Sequence, residues 1–127
     1  MAHHSRIDKI VIDAAPEDHD SELEFWAAAT GQRLTRSERY PEYHSGKIPG
    51  QDVGILVQRR QDGPTRVHVD IHTTDVDAEV ARLAQLGATR VQEINRWWVM
   101  KDPAGLPFCV VPDSTERLND ENARRWE

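Results

Sequence analysis

Arg66, His68, Asp70 and His72 recur at every second position of RVHVDIH, with Val67, Val69 and Ile71 between them. Period two is strand geometry, so the four polar side chains share one face and the apolar ones the other. A His-x-Asp-x-His face suits two chemistries. Imidazole and carboxylate ligate divalent ions, and a carboxylate beside a histidine fixes its tautomer for acid–base work. Alternate residues on one strand stand ~7 Å apart, at about 3.3 Å rise each, which makes capture of one ion by a single strand awkward. The favoured reading is therefore a polar pocket wall over a catalytic cluster, with a solvated polar face carrying an Arg66–Asp70 pair as the plain alternative.

Cys109 sits between Phe108 and Val110, where a lone thiol packs as a small hydrophobe; a nucleophilic Cys109–His68 pair is the alternative. Trp97 and Trp98 are neighbours on a strand and point to opposite faces. One belongs in the core and the other on the ligand face or the surface. Tyr40, Tyr43 and His44 fall in YPEYHSGKIPG (Tyr40–Gly50), read as a surface loop, with a lid over a pocket as the alternative. No phosphate loop, dinucleotide fingerprint or serine elbow is present.

The elements that must position these residues follow from pattern. Ile7–Asp13 is a β-branched strand. After a polar loop, Ser21 or Asp20 caps a helix with Leu23, Phe25, Trp26 and Ala29 on its apolar face, and Gly31 ends it. Arg33–Arg39 and Asp52–Arg60 are strands, and Gln61–Pro64 is a turn. The second half repeats the order. Arg66–His72 is a strand, and Asp75 caps a helix carrying Val76, Val80, Leu83 and Leu86 that Gly87 stops. Ala88–Val91 and Trp97–Met100 are strands, Asp102–Gly105 a turn and Pro107–Val111 the last strand. The tail from Pro112 to Glu127 is polar and reads as a short helix or a loose end. The predicted class is α+β: two paired β-α-β-β-β modules forming a cupped, eight-stranded mixed sheet with helices on the convex side.

A chain of 127 residues suits one domain with one core. Its formal net charge of −6 argues against a nucleic-acid partner, which needs a basic face. A mean hydropathy of −0.70 and the lack of a long apolar run argue against a membrane span. MAHHSRIDK shows no apolar signal stretch. The single cysteine rules out an intrachain disulfide. Together these point to a cytoplasmic protein.

The combination IDAA…ELEFWAAATG, VHVDIHTTDVDAEVARLAQLGA and WWVMKDPAGLPFCVV resembles the glyoxalase-like proteins of the vicinal oxygen chelate superfamily, which also holds extradiol dioxygenases and bleomycin-resistance proteins. The resemblance implies a single domain over residues 1–127, with module one about 6–61, module two about 65–112 and a tail at 113–127. It also implies a concave pocket and, in many members, a divalent metal held from the first and last strands of each module. At those four positions this chain carries Lys9, Gln58, His68 and Cys109. An ammonium repels a cation, so the expectation is no metal cofactor, with His68 the one weak candidate ligand. The expected pocket is Lys9, Val11, Leu56, Gln58, His68, Asp70, Trp97 and Cys109, with Val111 on its wall. The function implied is small-molecule binding of the bleomycin-resistance type. The alternative is a lyase, isomerase or dioxygenase using His68 as metal ligand or acid/base. A homodimer is expected because module pairs leave sheet edges that invite symmetric association.

Overall fold

The structure is a computed structural model and describes residues 2–48 and 50–127. The chain forms two compact units. One is Lys9–His68; the other joins the N-terminal residues up to Asp8 to Val69–Glu127.

In Lys9–His68 the order is β1 (His3–Ala14, from Lys9 onward), α1 (His19–Thr30), β2 (Thr35–Arg36), β3 (Tyr43–Lys47) and β4 (Gly54–Arg59). β1 runs parallel to β4, β4 antiparallel to β3, and β3 antiparallel to β2. Ile12, Ala14, Ile55 and Val57 alternate along β1 and β4 and, with Leu34, pack against Leu23, Trp26 and Ala27. The other face of the same strands carries Lys9, Val11, Asp13, Leu56 and Gln58, by period two. Register sets Val11 beside Leu56 and Asp13 beside Gln58.

Three expectations change here. α1 begins at His19 with Asp18 as its N-cap, not at Asp20 or Ser21; the Asp18 carboxylate accepts from Thr65 Oγ1 at 2.8 Å instead of closing on the helix. Phe25 is 60% exposed, because the buried stripe runs through Leu23, Trp26 and Ala27. The segment read as a loop contains β3, while Arg33–Arg39 supplies only Thr35–Arg36. Tyr43–Lys47 is therefore built into the sheet and is not a lid. The sequence YHSGK lacks an apolar alternation, and backbone pairing to β4 makes it a strand. Gly46 is needed there: a Cβ would meet Leu34 Cδ2 at 3.1 Å and the Arg33 carbonyl at 3.2 Å.

In the other unit the order is β5 (Arg66–Thr73, from Val69 onward), α2 (Val76–Gln85), β6 (Thr89–Ile94), β7 (Trp97–Lys101), β8 (Pro107–Pro112) and β9 (Arg124–Trp126). β5 is parallel to β8; β8–β7 and β7–β6 are antiparallel. Asp75 caps α2 through Ala78 N at 3.0 Å. Val80, Met100, Phe108 and Val110 form the core, with Val69, Ile71, Val76, Leu83 and Trp98 packed on it. Leu86 departs from its expected place on the buried stripe: it falls one residue past the helix and is 67% exposed.

The tail is not loose. β9 pairs antiparallel with His3–Ser5, Leu118 is buried, and Trp126 Nε1 donates to Ser5 Oγ at 2.9 Å. His3 is buried against Glu79, with Nε2 2.8 Å from Oε1. The fold class is the predicted α+β, with two β-α-β-β-β modules and mixed strand pairing.

Candidate functional site

Asp13 lies on β1 between Ile12 and Ala14, which pack in the core, and so faces the other side of the strand. Its Oδ2 lies 2.6 Å from His68 Nδ1 and 3.2 Å from Arg66 Nε. Asp13 is 2% exposed and His68 8%, so water competes little for these bonds. An ionised carboxylate only accepts, so the His68 proton sits on Nδ1 and Nε2 becomes the basic nitrogen of the neutral ring. Lys9 and Val11 precede Asp13 on its strand face, and Gln58 pairs with it across β4. Lys9, Val11, Leu56, Gln58 and His68 thus lie in one unit with Asp13 and Arg66. Asp13 itself carried no role in the sequence reading. Arg66 was paired there with Asp70, but the structure gives it to Asp13.

Asp70, Trp97 and Cys109 belong to the other unit. Asp70 neighbours Cys109 in the β5–β8 register, and Cys109 neighbours Val99 on β7. Trp98 packs on the core, which places Trp97 on the opposite strand face. Cys109 is a free, partly buried thiol.

A second charged cluster in this unit escaped the sequence reading. His72 Nδ1 is 2.7 Å from Asp113 Oδ2 and 3.5 Å from Asp8 Oδ2. Arg117 Nη2 donates to Asp8 Oδ1 at 2.6 Å, and its Nη1 donates to Asp113. Burial pushes the Asp113 carboxyl up, but hydrogen bonds from His72 and the Ser114 amide, with the Arg117 charge, hold it below the ordinary carboxylate value. Burial likewise works against the Arg117 charge, and Asp8 and Asp113 outweigh it. Asp8, His72 and Asp113 are close enough to share an ion, yet the Arg117 guanidinium already supplies their positive charge.

The positions that hold the metal usual in the resembled superfamily carry mixed donors here. Lys9 brings a positive charge and Gln58 a neutral amide, both of which weaken such a site, whereas the Asp13 carboxylate on Nδ1 of His68 leaves that ring suited to ligate through Nε2. Hard divalent ions want several oxygen or imidazole ligands.

Residues 9–111 match the model of the Glyoxalase-like domain family. The chain belongs to the glyoxalase-like family. No curated protein matches the sequence. Solved structures repeat the fold. One is described as an NAD-dependent benzaldehyde dehydrogenase from Legionella pneumophila (TM-score 0.64, 9% identity, 82% of this chain and 96% of that one). Another is methylmalonyl-CoA epimerase from Mycobacterium tuberculosis (0.57, 16%, 87% and 89%). A third is a glyoxalase/bleomycin resistance protein/dioxygenase superfamily member from Vibrio splendidus 12B01 (0.51, 14%, 82% and 97%). At such identities the likeness shows the glyoxalase-like fold and leaves the chemistry to the site.

Proposed function

We propose that this glyoxalase-like protein binds a small organic molecule without the metal usual at the family position. The observation that carries this reading is Lys9 at the family's first-strand position, on the same strand face as Val11 and Asp13, where an ammonium opposes a cation. Lys9, Gln58 and His68 supply polar contacts, and Val11 and Leu56 the apolar wall. Asp70, Trp97 and Cys109 are the corresponding candidates of the other unit. The Lys9 ammonium stands in for the metal's charge and suits an anionic or carbonyl oxygen. The partner is therefore a small molecule rather than nucleic acid, and among the described residues no helix is long and apolar enough to cross a membrane. The single free cysteine suits a cytoplasmic setting. A thermal-shift screen of small carboxylates and carbonyl compounds tests the reading. Stabilisation that Lys9→Met removes supports it. A stoichiometric metal lost on His68→Asn overturns it.

A second reading, an isomerase, is favoured by the Asp13–His68 dyad. A carboxylate that holds Nδ1–H leaves Nε2 to take a proton from carbon, and the fold neighbours include a methylmalonyl-CoA epimerase with methylmalonyl-CoA bound. Deuterium wash-in beside the carbonyl of an acyl thioester, absent in His68→Asn, supports it; no exchange leaves the binder alone.

We also propose a homodimer. Leu86, Val91 and Leu106 are large exposed apolar side chains in one unit, and a monomer mass by light scattering at micromolar protein counts against it.

A further inference from the structure

His19 opens α1, and His44 lies on β3 opposite Val57 of β4, whose side chain is in the core beneath α1. The two rings therefore meet in the layer between the helix and the sheet. Their centroids are 5.5 Å apart and their planes tilted by 55°. Each ring holds one buried nitrogen with no hydrogen-bond partner among the described residues: Nε2 of His19 and Nδ1 of His44. His19 is only 6% exposed. Buried polar atoms are normally satisfied, so two orphans on neighbouring rings call for a missing partner.

The geometry points to a two-histidine site for a borderline transition-metal ion such as Zn²⁺, Ni²⁺ or Co²⁺, bound through His19 Nε2 and His44 Nδ1. With metal–nitrogen bonds of about 2.0–2.1 Å, a ring centroid sits about 3.2 Å from the ion. Two rings at a tetrahedral angle would then be about 5.2 Å apart, against the observed 5.5 Å. The remaining ring nitrogen of His19, Nδ1, is 3.1 Å from Asp20 Oδ1. A carboxylate holding the outer nitrogen of a ligating histidine is the common supporting arrangement, because it fixes the tautomer and raises the basicity of the inner nitrogen. No carboxylate enters the inner set, so the site disfavours Mg²⁺ and Ca²⁺, which want oxygen. Water or a ligand atom completes the coordination. This site is separate from the family metal position and does not depend on the binding role proposed above.

The test titrates chelator-stripped full-length protein with Co²⁺ and follows its visible absorption. One ion per chain, with a four-coordinate spectrum, is expected. His44→Ala should abolish the signal, and Asp20→Asn should weaken binding about tenfold. His4→Ala and His68→Asn should leave it unchanged. In case His44→Ala does not fold, Zn²⁺ added to the unmodified protein should shift the His19 Nε2 and His44 Nδ1 resonances in nitrogen-detected spectra. No Co²⁺ signal, a signal that survives in folded His44→Ala, or unmoved His19 and His44 resonances overturns the site. Loss in His4→Ala also overturns it, by assigning the ion to the N-terminal histidines. Loss in His68→Asn overturns both this site and the metal-free binding reading, by assigning the ion to the family position.

Discussion

Arg82 lies 3.8 Å above the ring of Trp126. The same guanidinium donates to both Glu79 oxygens at 2.8 Å, and Glu79 also meets His3. The last strand is thus tied to α2 and to β1 at once.

Removing that anchor with Trp126→Ala should lower stability by about 2 kcal/mol, from the lost cation–π contact, apolar burial and Ser5 bond. Urea unfolding measures it. An unchanged midpoint would mean the tail contributes nothing in solution.

Glu79 gives a pH signature. Burial pushes its carboxyl up, but hydrogen bonds from Arg82, His3 and Ser5 and the Arg82 charge bring it below its ordinary 4.5. A depressed folded value means its stabilisation is complete above the unfolded value and disappears as pH falls below 4.5 through the folded one. Glu79→Gln should therefore cost about 3 kcal/mol at pH 7, and the gap to the unmodified protein should narrow on acidification. Equal gaps at both ends of the titration would exclude this linkage.

Asp13→Asn removes the negative charge from the side chain whose Oδ2 takes both donors. We expect a loss of about 2 kcal/mol and, in nitrogen-detected spectra, a fall in the His68 population protonated at Nδ1. A tautomer unchanged by the substitution would show that Asp13 does not set it.

Lys9→Met should weaken binding of a small carboxylate or carbonyl ligand about tenfold while shifting the unfolding midpoint little, since a partly exposed ammonium contributes little to stability. Calorimetry on a hit from the thermal screen decides. Undiminished affinity would remove Lys9 from the site.

How much the sequence revealed depended on the range of the signal. α2 was legible because Asp75, the spacing of Val76, Val80 and Leu83, and Gly87 are all local. The facing of Lys9, Val11, Leu56 and Gln58 followed from period two. β3 was hidden because Tyr43–Lys47 is made a strand by its partners. Asp13 was hidden because Arg66 and His68 stand 53 and 55 residues away, a distance over which spacing carries no information. The Asp8–His72–Asp113–Arg117 cluster draws on two strands and the tail, and only the His72 periodicity hinted at it.

The pairing of His3–Ser5 with Arg124–Trp126 has a kinetic consequence. On a ribosome Ser5 emerges 121 residues before Trp126, so that ladder waits for the whole stretch between them to be made. Closing so long a loop is entropically costly and comes late. Lys9–His68 has its strands and helix close in sequence and has no such delay. Refolding should therefore run in two phases, Lys9–His68 first and β9 last, with the early intermediate exposing the unpaired edge of His3–Ser5 to other chains.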